Sequence, residues 1–238
     1  LARMAKQRCH VLQALTINKG WCVVTEILIY GAGGFAREVA WLVERCQNSG
    51  QSLIPVGFID DNVISHGKII NELEVFSLES AVAKFPNAGF TVAIGSSQLR
   101  ERLTEKALQA GLFEVSIIHP NTEASRFIEY GKGTVICAGS ILTTNIRLGR
   151  GVQINLNCTV GHDVVMEDFV TLAPGVCVSG CVHIERGAYI GTAVSIINGT
   201  IDKPLVIGAG AIIGAAACVT RDIPPNVTAV GIPAKPKN

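Results

Sequence analysis

The sequence predicts two unlike halves: an α/β unit with a small Rossmann-like parallel sheet, then an all-β parallel β-helix of hexapeptide repeats. Three observations carry that prediction. An apolar strand, a glycine turn and an amphipathic helix follow one another in "EILIYGAGGFAREVAWLVERC", positions 26–46. Aliphatic residues then recur at every sixth position through the C-terminal half. The rhythm changes near positions 117–118, which sets the expected boundaries: 1–23 an N-terminal extension, 24–117 the α/β domain, 118–238 the β-helix with its C-terminal tail.

In the first half Ile27–Tyr30 reads as a strand, and Val39, Leu42, Val43 and Cys46 share one side of the helix that follows. "PVGFIDDN" (55–62) reads as a second strand ending in two aspartates. "FTVAIGSSQLRERLTEKALQAG" (90–111) gives a third strand, a serine-rich turn and a helix stopped by Gly111. "FEVSIIHP" (113–120) supplies a fourth strand. Four short strands with crossover helices make about half of a full dinucleotide-binding fold.

In the second half the beat runs Ile136, Leu142, Leu148, Ile154, Val160, Met166, Leu172, Val178, Ile184, Ile190 and Ile196 without exception. After a loop near Asn198–Pro204 it resumes at Ile207, Ile213 and Val219. A second set two positions earlier is small or β-branched, as at Val152, Cys158, Val164, Val170, Val176, Val182 and Val194. Neither a helix, with its period of 3.6, nor a strand, with its period of 2, generates a period of six. Stacked hexads do, each unit burying its apolar face only against its neighbours. These hexads resemble those of the left-handed β-helix proteins, in which three hexads make one triangular coil.

Composition narrows the function. With 48% apolar and 16% charged residues, the 238-residue chain supports a substantial core, and disorder is not expected. Lys+Arg 20 against Asp+Glu 19 removes the basic footprint of a nucleic-acid binder. No apolar run is long enough to mark a transmembrane helix, and positions 1–22 lack a sustained apolar region with a small-residue cleavage site. A cytoplasmic chain is therefore expected. The eight cysteines show no C-x-x-C pair or zinc-type spacing. Five fall among the hexads, where they are expected to be buried and reduced.

The stretch "VGHDVVMEDFVTL" (160–172) interrupts this structural pattern with a histidine and an aspartate. His162 follows interior Val160 by two positions, so its side chain can leave the prism near a corner. Gly180 comes three hexads after it, one coil above. An imidazole base beside a bare peptide N–H one strand spacing away suits acyl transfer, the base taking a proton and the amide holding an oxyanion. Asp163 would stabilise the imidazolium. From the spacing alone, a single histidine on a solenoid face is more often a plain corner residue, and an aspartate beside it is common in turns.

Hexads together with "ILIYGAGGFAREV", "GFIDDN", "VAIGSSQLR", "NCTVGHDVV" and "IPPNVTAVGIPAK" resemble the bacterial sugar acetyltransferases. These include the UDP-4-amino-sugar N-acetyltransferases of bacillosamine synthesis and the sialic acid O-acetyltransferase type. The resemblance runs from about position 25 to the C-terminus. It implies acetyl-CoA as co-substrate, His162 as general base, Asp163 as its tuning acid and Gly180 as the amide facing the thioester. It places acetyl-CoA contacts near Thr171, Gly180, Thr192 and Ala215, although Thr171 stands where some members carry histidine. It also implies a homotrimer with acetyl-CoA between neighbouring prisms, and threefold packing of flat prism faces agrees.

"GAGGFA" (31–36) fits G-x-G-x-x-A between a strand and a helix. One reading is NAD binding with Asp60 or Asp61 on a ribose hydroxyl, but the sheet is short for two mononucleotide halves. The preferred reading is a nucleotide-sugar whose diphosphate lies over Gly33 and Gly34, with Phe35, Asp60 and Asp61 toward the rest of the substrate. A turn that only packs helix on strand is the third. Metal binding is not expected, because His183 falls three positions past Gly180 and so out of stacking register with His162. The expected activity is acetyl transfer from acetyl-CoA to the amino group of a nucleotide-linked 4-amino-deoxysugar. The alternatives are sialic acid or other sugar O-acetylation, and a non-catalytic nucleotide-sugar-binding scaffold.

Overall fold

The computed structural model describes residues 24–237. The expected extension at 1–23 lies outside the described residues.

The α/β domain runs β1 (Thr25–Tyr30), α1 (Gly34–Asn48), β2 (Leu53–Ile59), β3 (Ile69–Ile70), β4 (Leu73–Phe76), α2 (Leu78–Lys84), β5 (Gly89–Val92), α3 (Ser97–Gln109) and β6 (Phe113–Glu114). Its sheet has the order β3-β4-β2-β1-β5-β6, parallel except for the β3–β4 pair. Helix α1 turns Ala36, Val39, Ala40, Leu42, Val43 and Cys46 onto the sheet. The sequence reading missed β3, β4 and α2, because "KIINELEVF" is broken by Asn71 and Glu72, both in a left-handed turn (φ 45° and 66°). It also joined two elements that the fold separates. Phe113–Glu114 closes the α/β sheet, whereas Ile117–Ile118 already belongs to the first coil of the prism. Among the described residues, no helix is long and apolar enough to cross a membrane.

From Ile117 onward, two- and three-residue strands stack in three sheets, parallel except where Lys235–Pro236 closes the first against Thr228–Val230. The first face carries 117–118, 135–136, 153–154, 171–172, 189–190 and 212–213; the second carries 123–124, 141–142, 159–160, 177–178, 195–196 and 218–219; the third carries 128–130, 146–148, 165–166, 182–184 and 205–207. Partners are three hexads apart, as in Val135↔Gln153↔Thr171↔Tyr189, until the loop at 198–204 lengthens the step to Val182↔Leu205. Every residue of the aliphatic beat is buried, and with the second set it forms one continuous core column. Truncating such a buried aliphatic to alanine typically costs about 2–5 kcal/mol.

From Gly133 to Ala193 each corner turns on one residue with left-handed backbone, and these also recur every six positions. Glycine occupies many of them, but Asn145, Asp163, Phe169 and Cys181 do not avoid the strain (φ 55°, 58°, 59° and 54°). A side chain there costs on the order of 1–3 kcal/mol and persists where its surroundings hold it. The cysteine expectation holds in part: Cys137, Cys158 and Cys181 are buried, but Cys177 points outward from the second face and Cys218 is half-buried.

The α/β domain packs on the first face, where α1 and Ile117, Val135 and Cys137 share a core. Arg100 of α3 is fully buried at this junction, its guanidinium ringed by acceptors. It donates to the carbonyls of Gly151 (3.0 Å), Ile94 (2.8 Å) and Phe169 (2.5 Å), to Gln153 Oε1 (3.0 Å) and to the Thr171 hydroxyl (2.9 Å). Gln153 in turn donates to the Val92 carbonyl at 2.7 Å. Burial pushes the Arg100 pKa down to about 10, which still leaves it charged at neutral pH. Around it, Arg150 pairs with Glu105 and Glu114, and Arg186 with Glu101 and Asp168.

Candidate active site at the prism corner

His162 stands at the corner between the second and third faces, two positions beyond Val160 of the second and three before Val165 of the third. Its side chain is 59% exposed. The ring lies against the bare Cα of Gly180: a Cβ there would fall 2.5 Å from Cε1 and from Nε2, and 2.9 Å from Cδ2. Only glycine leaves room for the imidazole in this position. The coil above is tied on by the Cys181 N–H donating to the His162 carbonyl at 2.8 Å. The Gly180 N–H has no backbone acceptor among the described residues.

Nδ1 of His162 meets Asp163 Oδ2 at 2.8 Å, leaving Nε2 on the Gly180 side. The other carboxylate oxygen of Asp163 accepts from Asn145 Nδ2 at 3.2 Å, and the Asp163 N–H donates to the Thr144 carbonyl at 3.2 Å. The imidazole, and then Asn145, hold the Asp163 carboxyl below its ordinary value, so it is a carboxylate at neutral pH. Asn145, Asp163 and Cys181 form a vertical column, one per coil, all in the left-handed conformation. The sequence reading missed Asn145 and Cys181; applying the three-hexad register to Asp163 as well as to His162 would have found both. A cavity of about 1050 Å³ opens along the third face toward the mouth of the prism, with Asn145, Arg147, Asp163 and Val165 on its wall.

The other expected site residues lie elsewhere. Thr192 and Ala215 are exposed and stacked at the corner between the first and second faces, with the Ala216 N–H on the Thr192 carbonyl. They therefore border the second face opposite His162 and Gly180. Thr171 lies on the first face, 2% exposed, its hydroxyl accepting from Arg100. Its side chain serves the domain junction.

Gly31 of the glycine turn is structural, since φ is +115° and a Cβ would lie 3.0 Å from the Ala93 carbonyl. Gly33 and Gly34 differ: both are exposed, a Cβ at Gly33 would meet nothing within 4 Å, and at Gly34 only the end of Arg37. Gly33 caps the 15-residue α1 with no side-chain hydrogen bond. Packing alone does not require glycine at 33 and 34. Phe35 is half-buried against the α1 core. Partial burial works against the charge of Asp61, but hydrogen bonds from Lys106 (2.8 Å) and the Tyr30 hydroxyl (2.6 Å) hold its carboxyl below the ordinary value. Burial and Asp61 push the Tyr30 pKa well up, keeping the hydroxyl a donor. Asp60 accepts from the Asn62 N–H at 2.8 Å, and its carbonyl meets His66 Nε2 at 2.8 Å, a brace that sequence reading overlooked. His183 pairs with Glu167 at 3.0 Å, away from His162.

The N-terminal half matches the family model described as PglD N-terminal domain over residues 26–107. The GDP-perosamine N-acetyltransferase of Escherichia coli O157:H7 is 36% identical over 209 residues, covering 87% of this chain and 94% of that protein. Among solved structures, WeeI from Acinetobacter baumannii AYE matches with a TM-score of 0.82 at 38% identity, covering 90% of this chain and 100% of that one. A histidine-to-asparagine variant of perosamine N-acetyltransferase from Caulobacter crescentus, in complex with CoA and GDP-perosamine, matches with a TM-score of 0.80 at 27% identity, covering 90% and 98%. Fold and corner together define a hexapeptide-repeat acyltransferase. Within that class, the chain belongs to the sugar N-acetyltransferase family that includes the GDP-perosamine enzyme.

Proposed function

We propose that the chain transfers an acetyl group from acetyl-CoA to the amino group of a nucleotide-linked 4-amino-deoxysugar. The observation that carries this reading is the imidazole of His162 seated on Gly180 with its far nitrogen on Asp163. The relative complexed with CoA and GDP-perosamine supplies the substrate class.

In this mechanism the free amine attacks the thioester carbonyl carbon, and a C–N bond forms. His162 Nε2 takes the proton from the attacking nitrogen as positive charge develops there. The carbonyl electrons move to oxygen, where the Gly180 N–H stabilises the tetrahedral oxyanion. Collapse breaks the C–S bond and releases CoA, to which the imidazolium returns the proton. Asp163 stays ionised and favours the imidazolium during transfer. No serine or cysteine nucleophile is needed.

Gly33 and Gly34 at the uncapped start of α1 would take the diphosphate, with Phe35, Asp60 and Asp61 toward the nucleoside or sugar. That turn sits on the first-face side of the prism, whereas His162 is on the opposite corner. A substrate anchored there would reach the histidine of a neighbouring copy rather than its own. A homotrimer, with acetyl-CoA held between prisms by Thr192, Ala215 and Gly180, satisfies that requirement.

The test is a thermal-shift and turnover panel of GDP-, UDP- and dTDP-4-amino-sugars against CMP-sialic acid and free sialic acid. A ligand that binds only the folded chain raises the melting temperature. Stabilisation by one amino-sugar nucleotide, with acetyl-CoA-dependent loss of its free amine, is expected. Acetylation of sialic acid alone would establish the O-acetyltransferase alternative, and binding without turnover the scaffold.

A further inference from the structure

We propose that the His162 corner is also a binding site for a borderline-soft divalent cation such as Zn²⁺, which would inhibit the enzyme. The ligands are the His162 imidazole, the Asp163 carboxylate and the Cys181 thiol. One ligand atom from each lies within 4.8 Å of the other two. Cation binding at this corner goes beyond acetyl transfer and does not depend on it; only the inhibition rests on that reading.

The donor set of nitrogen, oxygen and sulfur is one that Zn²⁺ accepts, at bond lengths that bring tetrahedral ligand atoms roughly 3.5 Å apart. Closing from 4.8 Å asks for about an ångström of side-chain movement. His162 and Asp163 have that freedom, being exposed and half-exposed. Cys181 is the fixed member of the set, because its position is set by the fold. It stacks one coil above Asp163 in the same left-handed conformation, and its N–H is fixed on the His162 carbonyl at 2.8 Å. The residue is buried (5% exposed) and its sulfur is within reach of both other ligand atoms, so the thiol faces the cluster rather than solvent. Three protein ligands leave a fourth position for water. A cation held there engages the imidazole and neutralises the carboxylate, removing both partners of the proton transfer.

Cys181 lies a full coil beyond His162 and Asp163 and fits no linear spacing used to recognise zinc sites; only the three-hexad register of the coil brings it to Asp163.

The experiment uses the full chain, stripped with a chelator and titrated with Co²⁺ as the spectroscopic probe, then with Zn²⁺ as competitor. Expected are a thiolate-to-cobalt charge-transfer absorption in the near ultraviolet, saturating at about one ion per chain, and its displacement by Zn²⁺. The band should vanish in Cys181→Ser and His162→Ala but survive in Cys177→Ser, whose exposed thiol lies outside the cluster. Zn²⁺ should bind Cys181→Ser at least ~10-fold more weakly, at an unchanged melting temperature of the metal-free chain, and should inhibit its turnover correspondingly less than the parent's. No thiolate band, or one that persists in Cys181→Ser, overturns the site. Should Cys181→Ser fail to fold, Asp163→Asn decides: weaker Zn²⁺ binding supports the site and unchanged binding defeats it. If the cobalt band forms but no acceptor is acetylated, the acetyl-transfer reading falls while the cation site stands.

Discussion

The imidazole of His162 rests on the bare Cα of Gly180, one coil above it, at a separation that no side chain at 180 could tolerate. An added Cβ would stand 2.5 Å from both Cε1 and Nε2, and the ring is the part able to give way. Gly180 has ordinary backbone conformation, so Gly180→Ala is not penalised by φ and should fold. The expected result is a melting temperature within a few degrees of the parent and a loss of about 100-fold in kcat, the scale for displacing a catalytic group by an ångström. Activity retained above half would show that the ring does not work from this position.

His162→Ala removes the proposed base but no core atom, since the side chain projects outward. Turnover should fall at least ~100-fold with acetyl-CoA binding unchanged, the range that general-base catalysis supplies. Isothermal titration with acetyl-CoA beside a steady-state assay separates the two effects. A matching loss in affinity would instead make His162 a cofactor contact.

Asp163 gives a prediction with a definite sign. Its folded-state pKa is depressed by His162 and then by Asn145, so the ionised form is the one that the fold favours. Its contribution to stability is therefore present above the unfolded value of 3.8 and disappears as pH falls through the lower folded value. Urea midpoints of the parent and Asp163→Asn should differ near neutral pH and converge below pH 3.8. The difference should shrink in high salt, because the pair is solvent-exposed. A difference that grows on acidification would contradict this account. In turnover, Asp163→Asn should lose at least ~10-fold in kcat, having lost the charge that favours imidazolium.

The prism was legible because burial in a stacked coil demands an apolar side chain every sixth residue, whatever else the sequence encodes. Ile136 through Ile196 meet that demand without exception, and the same period sets His162 against Gly180 from the sequence alone. What stayed hidden depends on contacts between distant segments. Arg100 reads as one more charged residue on an amphipathic helix, and nothing near it in sequence announces acceptors at Gly151, Gln153 and Phe169. The short β3 and β4 pair in a hairpin too brief to show a period. The burial of Thr171 was hidden for a related reason: the register fixes a residue's height and face, but not whether another domain covers that face.

That cover can be tested at Thr171 itself. Its hydroxyl accepts from Arg100 Nη2 at 2.9 Å inside a junction closed to water. Thr171→Val keeps the shape and leaves one guanidinium N–H with a poorer set of acceptors, a change expected to cost about 1–3 kcal/mol. Arg100→Ala strands several carbonyls and opens a void, so a larger loss of about 3–5 kcal/mol is expected. Urea denaturation of the two single variants and the double variant measures the coupling, since residues sharing a hydrogen bond lose less together than apart. The dissociation constant for acetyl-CoA should not change in Thr171→Val. Weaker acetyl-CoA binding at unchanged stability would return Thr171 to the cofactor site and require that this face open in the assembled enzyme.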